Sequence, residues 1–159
     1  MSWNFNLFLM NKTMSPMEKI TTKKIAERVN EALNNEEVHI SSSPETPEVI
    51  LKRNEGEIKF SGRSMPEDAK EFYLPIIKWI EKYAKSPAPG TRVIFNYEYF
   101  NTASSKMIME IIETIKKIAE KDKQFKTEWH YFVDDEDILE AGEDYEEMTG
   151  VSFEYLSYE

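Results

Sequence analysis

The sequence predicts an α/β fold: one domain built on a mixed, mostly parallel sheet, with an N-terminal helical extension. Three observations carry this. Val93 to Phe100 (VIFNYEYF) alternates apolar and polar residues as a strand does. Directly after it, Met107, Ile108, Ile111, Ile112, Ile115 and Ile118 recur with the helical period, up to Asp122. The same succession of strand and helix returns on either side, giving the order β-β-α-β-α-β-α-β. Strands that alternate with helices form parallel neighbours joined by right-handed crossovers, and the opening hairpin makes the sheet mixed.

Residues 1–37 read as the extension, partly helical, and residues 38–159 as the compact domain. The opening MSWNFNLFLM lacks the basic flank and cleavage motif of a secretory signal. It reads as an extra upstream start, with Met10, Met14 and Met17 as alternative initiators. Ser15 and Pro16, with Glu18 at capping-box distance, predict a helix start. Met17, Ile20, Ile25, Val29 and Leu33 then form a loose apolar stripe to about Asn34. The polar stretch 41–48 (SSSPETPE) is a connector.

Val49-Ile50-Leu51 predicts a strand, residues 53–56 a turn, and Glu57 to Ser61 the return strand, with Gly62 breaking the pairing. Ser64-Met65-Pro66-Glu67 carries the cap, the early proline and the glutamate of a helix start. Phe72, Ile76, Ile77, Ile80 and Tyr83 mark the buried face of that helix, and Pro75 inside it is expected to bend it. The loop 86–90 follows. Apolar residues on both faces of Val93–Phe100 predict a central strand covered on two sides. Thr127 to Val133 is the next strand. Asp134 or Asp135 caps a third helix, with Ile138, Leu139, Tyr145 and Met148 facing inward and Gly150 ending it. Val151, Phe153 and Tyr155 alternate in a last strand.

Charge narrows the function classes. The net charge is -10, and residues 134–159 hold 11 of the 30 acidic residues with no lysine or arginine. An acidic surface repels phosphate backbones and anionic lipid, so neither nucleic acid nor membrane is the expected partner. No apolar run approaches the ~18 residues of a membrane span. The chain has no cysteine, which suits a cytoplasmic, reducing setting and removes thiolate chemistry.

Catalytic signatures are missing: no G-x-G-x-x-G, G-x-x-x-x-G-K-[ST], H-E-x-x-H or G-x-S-x-G occurs. No catalytic residue, metal site or cofactor is therefore assigned, and the chain is read as a non-enzyme. For an enzyme using carboxylates in a cleft, Glu98, His130 and Asp134 are the least implausible candidates, and they form no recognisable constellation. Asp134, Asp135, Glu136 and Asp137 lack the alternating spacing, glycine and terminal glutamate of a calcium loop. With Glu140, Glu143 and Asp144 they read as a helix cap and solvated face, and as a candidate acidic docking surface. Asn101-Thr102-Ala103-Ser104-Ser105-Lys106 stands between the central strand and an amphipathic helix, at the carboxyl end of a strand, where sites gather. Position alone makes Asn101 or Thr102 a helix cap. A phosphate on a hydroxyl there would meet free N–H groups of the first turn and add about -1.5 to -2 of charge at one surface point.

TPEVIL at 46–51, GRSMPEDAKEFYLPIIKWIE at 62–81, YFNTASSK at 99–106, and WHY followed by DDEDILEAGEDYEE at 134–147 resemble the SiaC-like family of bacterial regulatory phosphoproteins. The resemblance covers roughly Thr46 to Tyr158. It implies a STAS-like fold, that of anti-sigma-factor antagonists. It also implies a phosphate on Thr102, in surroundings formed by Asn101, Ala103, Ser104, Ser105 and Lys106. The implied partners are a protein kinase and a PP2C-type phosphatase acting on Thr102, and a diguanylate cyclase whose cyclic-di-GMP synthesis, in biofilm regulation, the unphosphorylated form promotes. Ala103 stands where the family often has Ser. A constitutive STAS-type interaction module, never phosphorylated, is the alternative.

Overall fold

The computed structural model describes residues 4–6, 22–32 and 37–159. The cap expected at Ser15 and the stripe positions Met17, Ile20 and Leu33 lie outside them. The elements are β1 (Asn4–Asn6), α1 (Thr22–Glu31), β2 (Glu37–Ile40), β3 (Glu48–Lys52), β4 (Glu57–Ser64), α2 (Ala69–Ala84), β5 (Arg92–Phe100), α3 (Thr102–Lys121), β6 (Lys126–Phe132), α4 (Glu136–Thr149) and β7 (Glu154–Tyr158). From β3 onward the order is the expected one. β2 adds a strand that its four residues were too few to signal by periodicity.

The seven strands lie in chain order across one sheet. β1 pairs with β2 in parallel, β2, β3 and β4 form an antiparallel meander, and β4 to β7 are parallel. Crossovers of one hand along an unreversed strand order put every crossover helix on the same face. The core accordingly unites one side of the sheet (Val38, Val49, Leu51, Ile58, Phe60, Val93, Phe95, Tyr97 and Trp129) with Phe72, Ile76, Ile80, Ile108, Ile111 and Ile115 of the helices. Ile25 and Val29 of α1, within the stretch read as an extension, join this same core.

Among the described residues, β5 is therefore covered on one side, not two. Its outer face presents Arg92, Ile94, Asn96 and Glu98; Ile94 is buried between its ladder neighbours Lys59 and Glu128 rather than beneath a helix. Apolar character on both faces of the sequence reflected a well-shielded sheet centre, not a second helical layer.

Three local readings also change. Gly62 does not end β4: the strand runs to Ser64, with Gly62 at φ +98, where a side chain would be strained. The register steps from Gly62↔Tyr97 to Arg63↔Tyr99, leaving Glu98 as the extra residue of a bulge. Ser64 is thus a buried strand residue rather than a cap. The cap of α2 is Asp68, which accepts a 2.9 Å bond from the Glu71 N–H. α2 then runs from Ala69 to Ala84 with Pro75 inside it, where the sequence places it. Met148, expected inward, is exposed, whereas Ile138 and Tyr145 are buried as anticipated. Asp135 caps α4 through the Ile138 N–H, and Gly150 closes it in the left-handed conformation, φ 77.

Candidate functional site at the carboxyl edge of the parallel strands

The unreversed strand order leaves no crevice between diverging crossovers, so the site is a surface. It is formed where β4, β5 and β6 end and the helices begin.

The bulge at Glu98 sets its geometry. Because β5 gains a residue there, Tyr97 faces the helices, Tyr99 turns to the open face beneath the Arg63 guanidinium (5.1 Å from the ring centre), and Phe100 returns to the helix side against Tyr97. Asn101 N then donates to Ser64 O at 3.0 Å, extending the β4–β5 pairing by one residue. With Asn101 extended (φ -83, ψ 175), its side chain accepts a 2.9 Å bond from the Ser104 N–H and caps α3.

Four residues follow in distinct settings. Thr102, the first residue of α3, is exposed, and its hydroxyl forms no hydrogen bond among the described residues. Ala103 and Lys106 are also exposed. Ser104 is sealed in the interior, where it accepts from Ser64 Oγ at 2.8 Å. Ser64 meets the Tyr73 hydroxyl at 2.6 Å, and Tyr73 meets Tyr97 at 3.1 Å. Burial pushes both phenols well above their ordinary range, so the chain Tyr97–Tyr73–Ser64–Ser104 stays a row of neutral hydroxyls. Ser105 is half-buried and paired with Tyr145 of α4: its Oγ lies 2.8 Å from the phenol oxygen, which donates to Ser105 O at 2.9 Å. Burial raises the Tyr145 phenol to about 12.

Of the acidic candidates, Asp134, Glu136, Asp137, Glu140, Glu143 and Asp144 are exposed and Asp135 is partly engaged as the α4 cap. None of the seven joins an ion pair among the described residues. Glu98, His130 and Asp134 are not brought together. Glu98 lines a shallow depression with Ser42, Glu48, Ser61, Gly62, Asn96 and Tyr158, Asp134 lines another, and His130 lies beside Glu128 at 3.7 Å. Among the described residues no three metal-ligating side chains gather, and no helix is long and apolar enough to cross a membrane. Sequence reasoning missed the buried hydroxyl row and the exposed aromatics Tyr99, Phe132 and Tyr158. Each looked like ordinary strand or helix composition, and only strand parity separates them.

A model of the SiaC family of regulatory phosphoproteins matches residues 40–158. The chain belongs to the SiaC family. An uncharacterized protein of Pseudomonas aeruginosa is 24% identical over 117 residues, 74% of this chain and 93% of the relative. The structure of P. aeruginosa SiaC superposes with a TM-score of 0.66 at 22% identity, over 77% of this chain and 98% of that one. A second solved structure is that of the P. aeruginosa diguanylate cyclase SiaD in complex with its activator SiaC. It gives a TM-score of 0.69 at 23% identity, over 76% and 99% of the two chains. At this identity the superpositions establish the SiaC fold. The family match covers the sheet from Ile40, the crossover helices α2, α3 and α4, and the carboxyl-edge surface.

Proposed function

We propose that this chain is a non-enzymatic signalling protein, switched by reversible phosphorylation of Thr102, that acts by binding a partner enzyme, a diguanylate cyclase in cyclic-di-GMP signalling. A protein kinase adds the phosphate and a PP2C-type phosphatase removes it. The single observation that carries the reading is the contrast between neighbours: Ser104 is buried, Ser105 is tied to Tyr145, and Thr102 is exposed with a hydroxyl unengaged among the described residues. A modifying enzyme approaching from solvent meets Thr102 first.

The chemistry of the position supports a switch. Thr102 opens a helix of 20 residues, whose first-turn N–H groups and dipole favour a phosphate. The same dianion, placed where a partner packs, costs desolvation and repels nearby carboxylates. The acidic stretch Asp134 to Asp144, without an ion pair among the described residues and on the next crossover, is the docking surface in this reading. Membership of a family of regulatory phosphoproteins and the fold shared with a cyclase activator point the same way.

The test is phosphopeptide mass spectrometry after incubation with the co-encoded kinase, beside a cyclase pull-down by Thr102→Ala and Thr102→Asp. The expected result is phosphate on Thr102 alone, retained binding by Thr102→Ala and loss of binding by Thr102→Asp. Equal binding by both variants, with no phosphate on Thr102, returns the chain to a constitutive interaction module.

A further inference from the structure

We infer that the open sheet face where Phe132 lies opposite Tyr158 is a docking surface for a basic segment of a protein partner, in which two cationic side chains flank an apolar one. This names the surface that holds the proposed partner, and it rests on the reading that the chain acts by binding a protein.

Phe132 and Tyr158 are ladder partners on β6 and β7, with ring centroids 6.0 Å apart in an edge-to-face arrangement. They are 44% and 37% exposed; Val133 is 48% and Tyr99 44% exposed. Among the described residues, Tyr99, Phe132, Val133 and Tyr158 are exposed large apolar side chains that gather at one end of β5, β6 and β7, apart from Met148 on α4. Exposed apolar residues scattered singly carry no message, whereas a cluster rich in aromatics marks an interaction surface.

The charges around the rings select the occupant. One shallow depression is lined by Tyr158 with Glu48, Ser61, Asn96 and Glu98; the other by Phe132 with Asp134 to Asp137. Each ring of the pair therefore borders one acidic concavity. In the first, Glu48 is engaged by His39 at 3.0 Å and Ser61 at 3.3 Å, while Glu98 has no ion-pair partner among the described residues. In the second, Asp135 is committed to its cap, and Asp134, Glu136 and Asp137 have no ion-pair partner among the described residues. Arg63 stacks on the Tyr99 ring, 5.1 Å from its centre, which shows that an aromatic of this cluster accepts a guanidinium. Burial raises the Tyr158 phenol, and Glu98 and Asp135 add to the rise, so carboxylates from both depressions act on one ring.

Such a surface complements lysine or arginine on either side of an apolar anchor, with each cation near an aromatic face and a carboxylate. A second copy of this chain meets it poorly, because the copy brings net charge -10 and a C-terminal third of its acids without one lysine or arginine. Nucleic acid and anionic lipid are repelled for the same reason.

The test is an NMR titration of the full chain with the peptide acetyl-Gly-Arg-Leu-Arg-Gly-amide, repeated with both arginines replaced by neutral citrulline. The expected result is perturbation of Phe132, Tyr158, Glu98 and Asp135. Affinity should fall about fivefold or more in Phe132→Ala and Glu98→Gln and stay unchanged in Met148→Ala, with the citrulline peptide silent. Equal affinity for the two peptides, shifts confined to Glu140, Glu143 and Asp144, or concentration-dependent shifts without peptide (self-association) each overturn the inference. Cyclase binding that follows Thr102 but ignores Phe132→Ala overturns the surface and leaves the switch standing. Peptide binding at Phe132 and Tyr158 in a chain whose Thr102 is never phosphorylated supports the surface and removes the switch.

Discussion

Ser64 donates a 2.8 Å hydrogen bond to the hydroxyl of Ser104, 40 residues further along the chain and two residues from Thr102. The bond ties the end of β4 to the first turn of α3, and Tyr73 and Tyr97 continue it into the core. Ser104→Ala removes the last acceptor of the buried row, so three hydroxyl protons of Ser64, Tyr73 and Tyr97 share two contacts and one is left unpaired, which costs about 1–3 kcal/mol. Thr102→Ala removes an exposed hydroxyl at a helix start and shifts stability by no more than about 0.5 kcal/mol. Urea unfolding of the two variants checks the contrast, and equal losses contradict the burial assigned to Ser104.

A phosphate placed on Thr102 is expected to stabilise α3 in a pH-dependent way. The dianion at the helix N-terminus contributes about 0.3–1 kcal/mol at low salt. Its second pKa, about 6 in an unfolded chain, is lowered in the folded one because the helix favours the dianion. That contribution is present above about pH 6 and fades as pH falls through the lowered folded value. Thermal melts of phosphorylated and unmodified protein at successive pH values, at low and high salt, read the difference directly.

Gly142 is where α4 lies against Trp129. A Cβ there would stand 2.7 Å from Trp129 ring atoms, well inside contact distance. The indole N–H also donates to Ile138 O at 2.8 Å, so the ring cannot move aside without losing that bond. Gly142→Ala is expected to destabilise by about 1–3 kcal/mol through overpacking, despite the better helix propensity of alanine. Near-ultraviolet circular dichroism reports the displaced indole, and denaturant unfolding the loss.

Asp122 governs part of the acid response. Burial by itself pushes its carboxyl up, but N–H bonds from Thr91, Gly90 and Gln124 outweigh that and hold it below the ordinary carboxylate range. A group with a lowered folded pKa contributes stability above its unfolded value, about 3.9, and loses it as pH falls through the folded one. Asp122→Asn is expected to be less stable at neutral pH and to show a shallower loss of stability below about pH 4. Chemical unfolding across pH checks both.

Much of this architecture was written in local pattern. The period-two run Val93–Phe100 and the isoleucine stripe from Ile108 to Ile118 each fix their own element, because burying one face demands that spacing. Asn101, Asp135 and Gly150 announced helix ends through chemistry that acts within four residues. The acidic excess after Val133, and the charge-based exclusion of polyanionic partners, needed nothing but counting.

Other features depend on contacts between distant segments, which composition does not encode. The Glu98 bulge exists only in the register between β4 and β5, and it alone turns Tyr99 outward and Phe100 inward. Ser64 resembled a helix cap until the strand continued through Gly62 and buried it beside Ser104. Apolar residues on both sides of β5 suggested two helical layers, yet an unreversed strand order sends every crossover to one face and leaves Phe132 and Tyr158 in the open. Local spacing determines which residues a single strand or helix hides. Which hydroxyl of Thr102, Ser104 and Ser105 meets solvent is decided when three separate segments pack around the start of α3.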